Sequence, residues 1–180
     1  LKEIQKKVKI TFIFITHDQE EAIFLSDRIA VLNNHKFEQI GSPKELYYSP
    51  QSTYMAKFFG ECNLFECKVV ESQNELVILD SEFGKFKTTT NKKLKPGDNV
   101  IFGIRPEEII LANEKNKNTL EVKVKEIDFK GSTSTLNLLS MNLNREIKLQ
   151  NISSNISKSL SKNSIVNIEF NKNTGNIFLK

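Results

Sequence analysis

The chain has 180 residues, 38% hydrophobic and 27% charged, which is enough apolar content for one large or two small cored domains and excludes general disorder. Its formal net charge is +4, with Lys and Glu interleaved rather than gathered on one face, so a dedicated nucleic-acid binder is not expected. The two cysteines, Cys62 and Cys67, and the two histidines, His17 and His35, show no metal-ligand spacing, and the cysteines read as reduced structural thiols.

Leu1, Ile4 and Val8 fall at helical spacing, so residues 1–8 read as the end of an amphipathic helix. A chain that opens on Leu inside such a pattern is expected to begin within a domain. No signal-type apolar segment precedes residue 10, and the apolar run 10–15 is far short of a membrane span. That run, ITFIFI, is rich in β-branched and aromatic side chains, which predicts a central strand of a parallel sheet covered on both faces. Asp18 is placed to cap the next helix, with Glu20 and Glu21 in its first turn, and the helix should run to about residue 26. Residues 29–32 and 37–40 flank NNHK and read as a hairpin. Pro43 opens a helix that stops before Pro50, and QSTYMAKFFG gives a second short helix ended by Gly60.

After residue 60 the pattern changes to short strands and turns: FECKVVE, ELVILD, KFKTTT, NVIFGI, EIILA, LEVKVKEIDF, TSTLNLL, REIKLQ, IVNIEF and NIFLK. Their spacing predicts a small barrel, so the domain boundary is set between residues 1–60 and 61–180. The second part repeats weakly. KLKPGDNVIFGI (93–104) aligns with SLSKNSIVNIEF (159–170) at an offset of 66, and CKVVE resembles VKVKE upstream, which predicts two OB-like half units closing on one another. Pro106 should end its strand and leave Arg105, Glu107 and Glu108 at the rim as surface charges. The Ser- and Asn-rich segment 151–164 reads as a solvated loop with a short helix.

His17 is the one residue whose position suggests chemistry. It follows a predicted central strand and precedes a helix N-terminus, where open α/β sheets bind ligands and where phosphate contact or proton handling is at home. A histidine satisfied by local backbone is the plain alternative. No G-x-S-x-G elbow exists, and Asp18, Glu20 and Glu21 do not complete a metal site with His17. The seven glycines are spaced so that neither a G-x-x-x-x-G-K loop nor a G-x-G fingerprint occurs, so the chain has no phosphate cradle of its own.

The stretch ITFIFITHDQEEAIFLSDRIAVLNN resembles the surroundings of the switch histidine in the ATP-binding subunits of ABC transporters. EQIGSPKELYYSP, YMAKFFGECNLFE, LKPGD, IFGIRPEEI and FKGS extend the resemblance to the importer branch with a C-terminal TOBE (transport-associated OB) region. FFGECNLF is most similar to spermidine/putrescine importers, with ferric-iron and sugar importers next. The resemblance implies an α/β fragment of an ABC nucleotide-binding domain over 1–60, then an all-β OB-like (TOBE) regulatory barrel over 61–180. It implies that His17 contacts the ATP γ-phosphate and helps hold the attacking water in the complete subunit, while Asp18 caps the helix and Ser26, Asp27 and Arg28 are structural. ATP and Mg²⁺ would act in that complete subunit, and neither is expected for this chain alone. The implied partners are a second copy of the subunit and membrane permease subunits, with no contact to the imported substrate, on the cytoplasmic side of the membrane. The phosphate loop, Q-loop, LSGGQ signature and Walker B strand of such subunits are not in this sequence, so residues 1–180 alone are expected to be inactive.

Two readings from other classes stand beside this one. The first is a stand-alone OB module binding an oxyanion or an oligonucleotide, for which Phe83, Phe86, Phe102, Phe129, Phe170 and Phe178 would have to form an open stacking face rather than core. The second is a purely structural interaction domain.

Overall fold

The alternating patterns after residue 60 become strands in the computed structural model of the chain, which describes residues 2–113, 119–141, 145–171 and 173–180. The chain divides into two compact units, Leu1–Gly60 and Glu61–Lys180.

In the first unit, helix α1 (Lys2–Val8) leads to an extended segment and then to α2 (Gln19–Leu25). Strands β1 (Ile29–Asn33) and β2 (Lys36–Gly41) form an antiparallel hairpin. Its two-residue turn, Asn34-His35, holds both residues at positive φ (48° and 61°), the type I′ geometry that matches strand twist. Helices α3 (Pro43–Tyr48) and α4 (Thr53–Phe58) cover one face of the hairpin, and Val31, Leu46, Met55 and Phe59 make the small core. Ser42 and Glu45 cap α3 reciprocally: Ser42 N donates to Glu45 Oε2 at 2.7 Å and Glu45 N to Ser42 Oγ at 3.3 Å. Buried Gln39 satisfies both ends of its amide, donating to Ser49 O (3.1 Å) and accepting from Gln51 N (2.9 Å).

The central parallel strand expected over residues 10–15 is not formed. The segment is extended but has no ladder, and Ile13 and Ile15 are 91% and 92% exposed. The reason is physical: a strand needs a neighbour for its N–H and C=O groups, and among the described residues of this unit β1 and β2 pair only with each other.

The second unit contains β3 (Asn63–Gln73), β4 (Leu76–Ser81), β5 (Gly84–Thr89), β6 (Asn99–Ile104), a 3-10 turn (Pro106–Glu108) and β7 (Ile109–Ala112). Then come β8 (Thr119–Phe129), β9 (Thr133–Ser140), β10 (Glu146–Ser153), α5 (Ser154–Ser157), β11 (Ile165–Phe170) and β12 (Asn176–Leu179). They form two antiparallel five-stranded sheets, β12-β6-β3-β4-β5 and β10-β9-β8-β11-β7. The halves trade a strand: β7 follows β6 but joins β11, and β12 follows β11 but joins β6.

The repeat seen in the sequence is real in detail. Register slips lie between Val69 and Glu71 on β3 and between Val124 and Glu126 on β8. Val69 exchanges backbone bonds with Asp98 O (2.9 Å) and Gly97 N (2.8 Å), and Val124 does so with Ser164 O (2.9 Å) and Asn163 N (2.7 Å). Gly97 and Asn163 both have positive φ at this corner (98° and 72°). One core serves both halves, where the rings of Phe102 and Phe170 touch each other and those of Phe65 and Phe86.

The expected rim at Arg105 is corrected by the structure. Arg105 is only 4% exposed, because its guanidinium turns inward to donate to Glu61 O at 2.9 Å. Glu108 is half-buried and folds back to accept from Arg105 N at 3.2 Å. Among the described residues, no helix is long and apolar enough to cross a membrane.

Candidate functional site

The Thr16-His17-Asp18 corner is built by its polar neighbours. Asp18 Oδ1 accepts from Glu20 N (2.8 Å) and Glu21 N (3.1 Å), satisfying two of the open N–H groups at the start of α2. Thr16 Oγ1 accepts from Asp18 N (3.0 Å) and donates to Glu21 Oε2 (2.9 Å). The residues on either side of His17 are therefore fixed, and its imidazole is exposed. Ser26 N closes the helix on Ala22 O at 3.2 Å, and Lys2 Nζ donates to Phe24 O at 3.1 Å near the same end.

Chemically, this corner offers one exposed imidazole and, among the described residues around it, nothing that would cradle a phosphate alone. Asp18, Glu20 and Glu21 put negative charge at the helix start, which opposes an anion there. An imidazole can still contact a phosphoryl group that other groups hold, because phosphoryl transfer relies on positioning and charge stabilisation. Among the described residues, no three His, Cys, Asp or Glu side chains cluster as metal ligands.

The aromatic residues weighed for an oligonucleotide face do not form one. Phe86, Phe102, Phe170 and Phe178 are at most 4% exposed, Phe83 packs against the same core, and Phe129 alone of the six is exposed. Cys62 and Cys67 are both free thiols, and burial pushes the Cys67 thiol up to about 12. Sequence reasoning missed the grouping of Glu61, Asn63 and Lys148 with Arg105, because residues 61–63, 105 and 148 are far apart in the chain and come together only through the fold.

No family model matches the chain. Among curated proteins, it is 48% identical over 118 residues to the spermidine/putrescine import ATP-binding protein PotA of Fusobacterium nucleatum, covering 64% of this chain and 31% of that protein. The Thermotoga maritima protein of the same name is 40% identical over 116 residues, covering 64% and 32%. That of Hahella chejuensis is 35% identical over 151 residues, covering 83% and 40%. By sequence, this chain is similar to the C-terminal part of spermidine/putrescine import ATP-binding proteins. It spans between 31% and 40% of the length of these three relatives. Among solved structures, the cytoplasmic molybdate-binding protein ModG superposes with a TM-score of 0.57 at 14% identity, covering 66% of this chain and 96% of that one. At that identity the likeness concerns the fold alone, and it supports a barrel-like β domain.

Proposed function

We propose that this chain is the C-terminal part of the ATP-hydrolysing subunit of a polyamine importer. Residues 1–60 belong to the ABC ATPase domain and residues 61–180 form its TOBE-type regulatory domain. The observation that carries the reading is the 35–48% identity to spermidine/putrescine import ATP-binding proteins, which favours polyamines over ferric iron or sugars. The exposed apolar segment before His17 supports it independently. A run with Ile13 and Ile15 over nine-tenths exposed is suited to a sheet that further ATPase residues would complete. Burying two such side chains stabilises by roughly 3–6 kcal/mol.

In the complete subunit His17 is the switch histidine. The Thr16–Asp18–Glu21 bonds hold its backbone, and its ring reaches the γ-phosphate of ATP that the rest of the subunit binds. Mg²⁺ would supply charge neutralisation on the phosphates there. The subunit pairs with a second copy and with permease subunits on the cytoplasmic face of the membrane, without touching the polyamine.

The test is a chimera that places the N-terminal region of the Fusobacterium nucleatum relative ahead of Leu1. The chimera should hydrolyse ATP, and His17→Ala should lower the rate by about a hundredfold or more while nucleotide binding persists. An unchanged hydrolysis rate in the variant would remove His17 from this role.

A further inference from the structure

The chain enters the second unit through residues that are unusually well tied. Glu61 O accepts from buried Arg105 Nη1 at 2.9 Å, and the Glu61 carboxylate accepts from Gln150 Nε2 at 2.7 Å and from Lys148 Nζ. Two residues on, Asn63 exchanges both amide atoms with the Lys148 backbone: Nδ2 donates to Lys148 O and Oδ1 accepts from Lys148 N, each at 2.8 Å. Asn63 opens β3 in one sheet, and Lys148 and Gln150 lie on β10 in the other. Residues 61–63 thus bridge the two half units at the point where the chain arrives.

Immediately upstream the contrast is sharp. Phe59 is 2% exposed in the core of the first unit. Gly60 between them sits at φ 89°, and a side chain there would meet one atom of Tyr47 at 3.6 Å. An exposed glycine flanked by two anchored residues is where backbone rotation costs least.

We propose that Glu61, Asn63, Arg105 and Lys148 form a latch that holds the incoming chain on the second unit and leaves Gly60 as the pivot ahead of it. The latch has an inner and an outer part. Arg105 is the inner part, because a buried guanidinium must keep its hydrogen-bond acceptors. The Glu61–Lys148 pair is the outer part. Its side chains are 52% and 36% exposed, so salt screens it and it can open without unfolding the sheets. Opening it, with the Gln150 bond, leaves Glu61 held through its carbonyl by Arg105 alone, which gives the chain at Gly60 more freedom. The latch does not depend on the transport role.

Hydrogen exchange on the full chain, read by mass spectrometry, tests it. Glu61→Ala removes the carboxylate's bonds to Lys148 and Gln150, Lys148→Met removes the Lys148 bond alone, and both leave Arg105 in place. Each should speed exchange in residues 60–66 by about threefold to tenfold at low salt, with β4 and β5 unchanged. The wild type in 0.5 M salt should move toward the variants. Spin labels on Lys44→Cys and Lys87→Cys, in a background with both native cysteines replaced, should give a broader distance distribution once Glu61→Ala is added. Unchanged exchange in both variants would overturn the latch. Faster exchange spread evenly over the second unit would also overturn it, since that marks a merely structural contact.

Discussion

Gly175→Ala is the sharpest probe of the strand exchange that builds the second unit. Gly175 lies just ahead of β12, the strand that crosses from the second half to pair with β6 of the first. A Cβ there would lie 2.5 Å from Phe102 Cζ, 2.6 Å from Phe102 Cε2 and 2.9 Å from Gly103 O. The Phe102 ring cannot yield, because it is fully buried against Phe65, Phe86 and Phe170. The backbone adds its own penalty, since φ is +81° and a non-glycine residue there costs about 1 kcal/mol. Overpacking a tight core adds about 1–3 kcal/mol, giving about 2–4 kcal/mol in all. For a domain of this size that is a loss of roughly 8–16 °C in the unfolding midpoint. Gly131→Ala is the control: it has a similar φ of +90° but nothing within 4 Å of a Cβ, so it should lose only the backbone share, about 1 kcal/mol. Urea titration and thermal melting of the full chain read both. If Gly175→Ala cost no more than Gly131→Ala, β12 would not seat on β6 as described.

Burial raises the Glu108 carboxyl above the usual glutamate value, more strongly than its bond to Arg105 N lowers it. The protonated form is therefore favoured by folding: that stability is fully present below the ordinary glutamate pKa and is lost as pH rises through the higher folded value. Glu108→Gln should raise the melting midpoint at pH 7 and not at pH 4, and a lower midpoint at pH 7 would reverse the assignment. Cys67, buried and pushed up to about 12, should react with a thiol reagent at pH 8 only as fast as the sheet opens, which timed alkylation followed by mass spectrometry measures. His35→Gly should stabilise the β1–β2 hairpin by about 0.5–1 kcal/mol, because His35 sits at φ 61° in a turn that favours glycine. The readout is exchange protection of the hairpin amides.

The sequence was most legible where local rules decide. All ten predicted strands after residue 60 are present, and the 93–104 and 159–170 alignment marks β6 and β11 as equivalent. Asp18 caps its helix as its position suggests. Misreadings came where partners decide. Residues 10–15 carry the composition of a central strand, but composition cannot supply the neighbours a ladder needs. Arg105 looked like a rim charge because Pro106 ends its strand, whereas the fold brings Glu61 O within reach and draws the guanidinium inside. The trade of β7 and β12 between sheets was not readable either, because alternation gives a strand's faces and not its neighbours. For His17, the Asp18 cap was readable, and the exposed setting of the ring was not.

Uptake of labelled spermidine decides whether this chain serves a polyamine importer. The Fusobacterium nucleatum chimera would be expressed with that relative's permease in cells lacking their own importer ATPase. The chimera should take up spermidine and putrescine in an ATP-dependent manner, and His17→Ala should abolish that uptake. An assembled chimera that hydrolyses ATP but imports neither polyamine would contradict it.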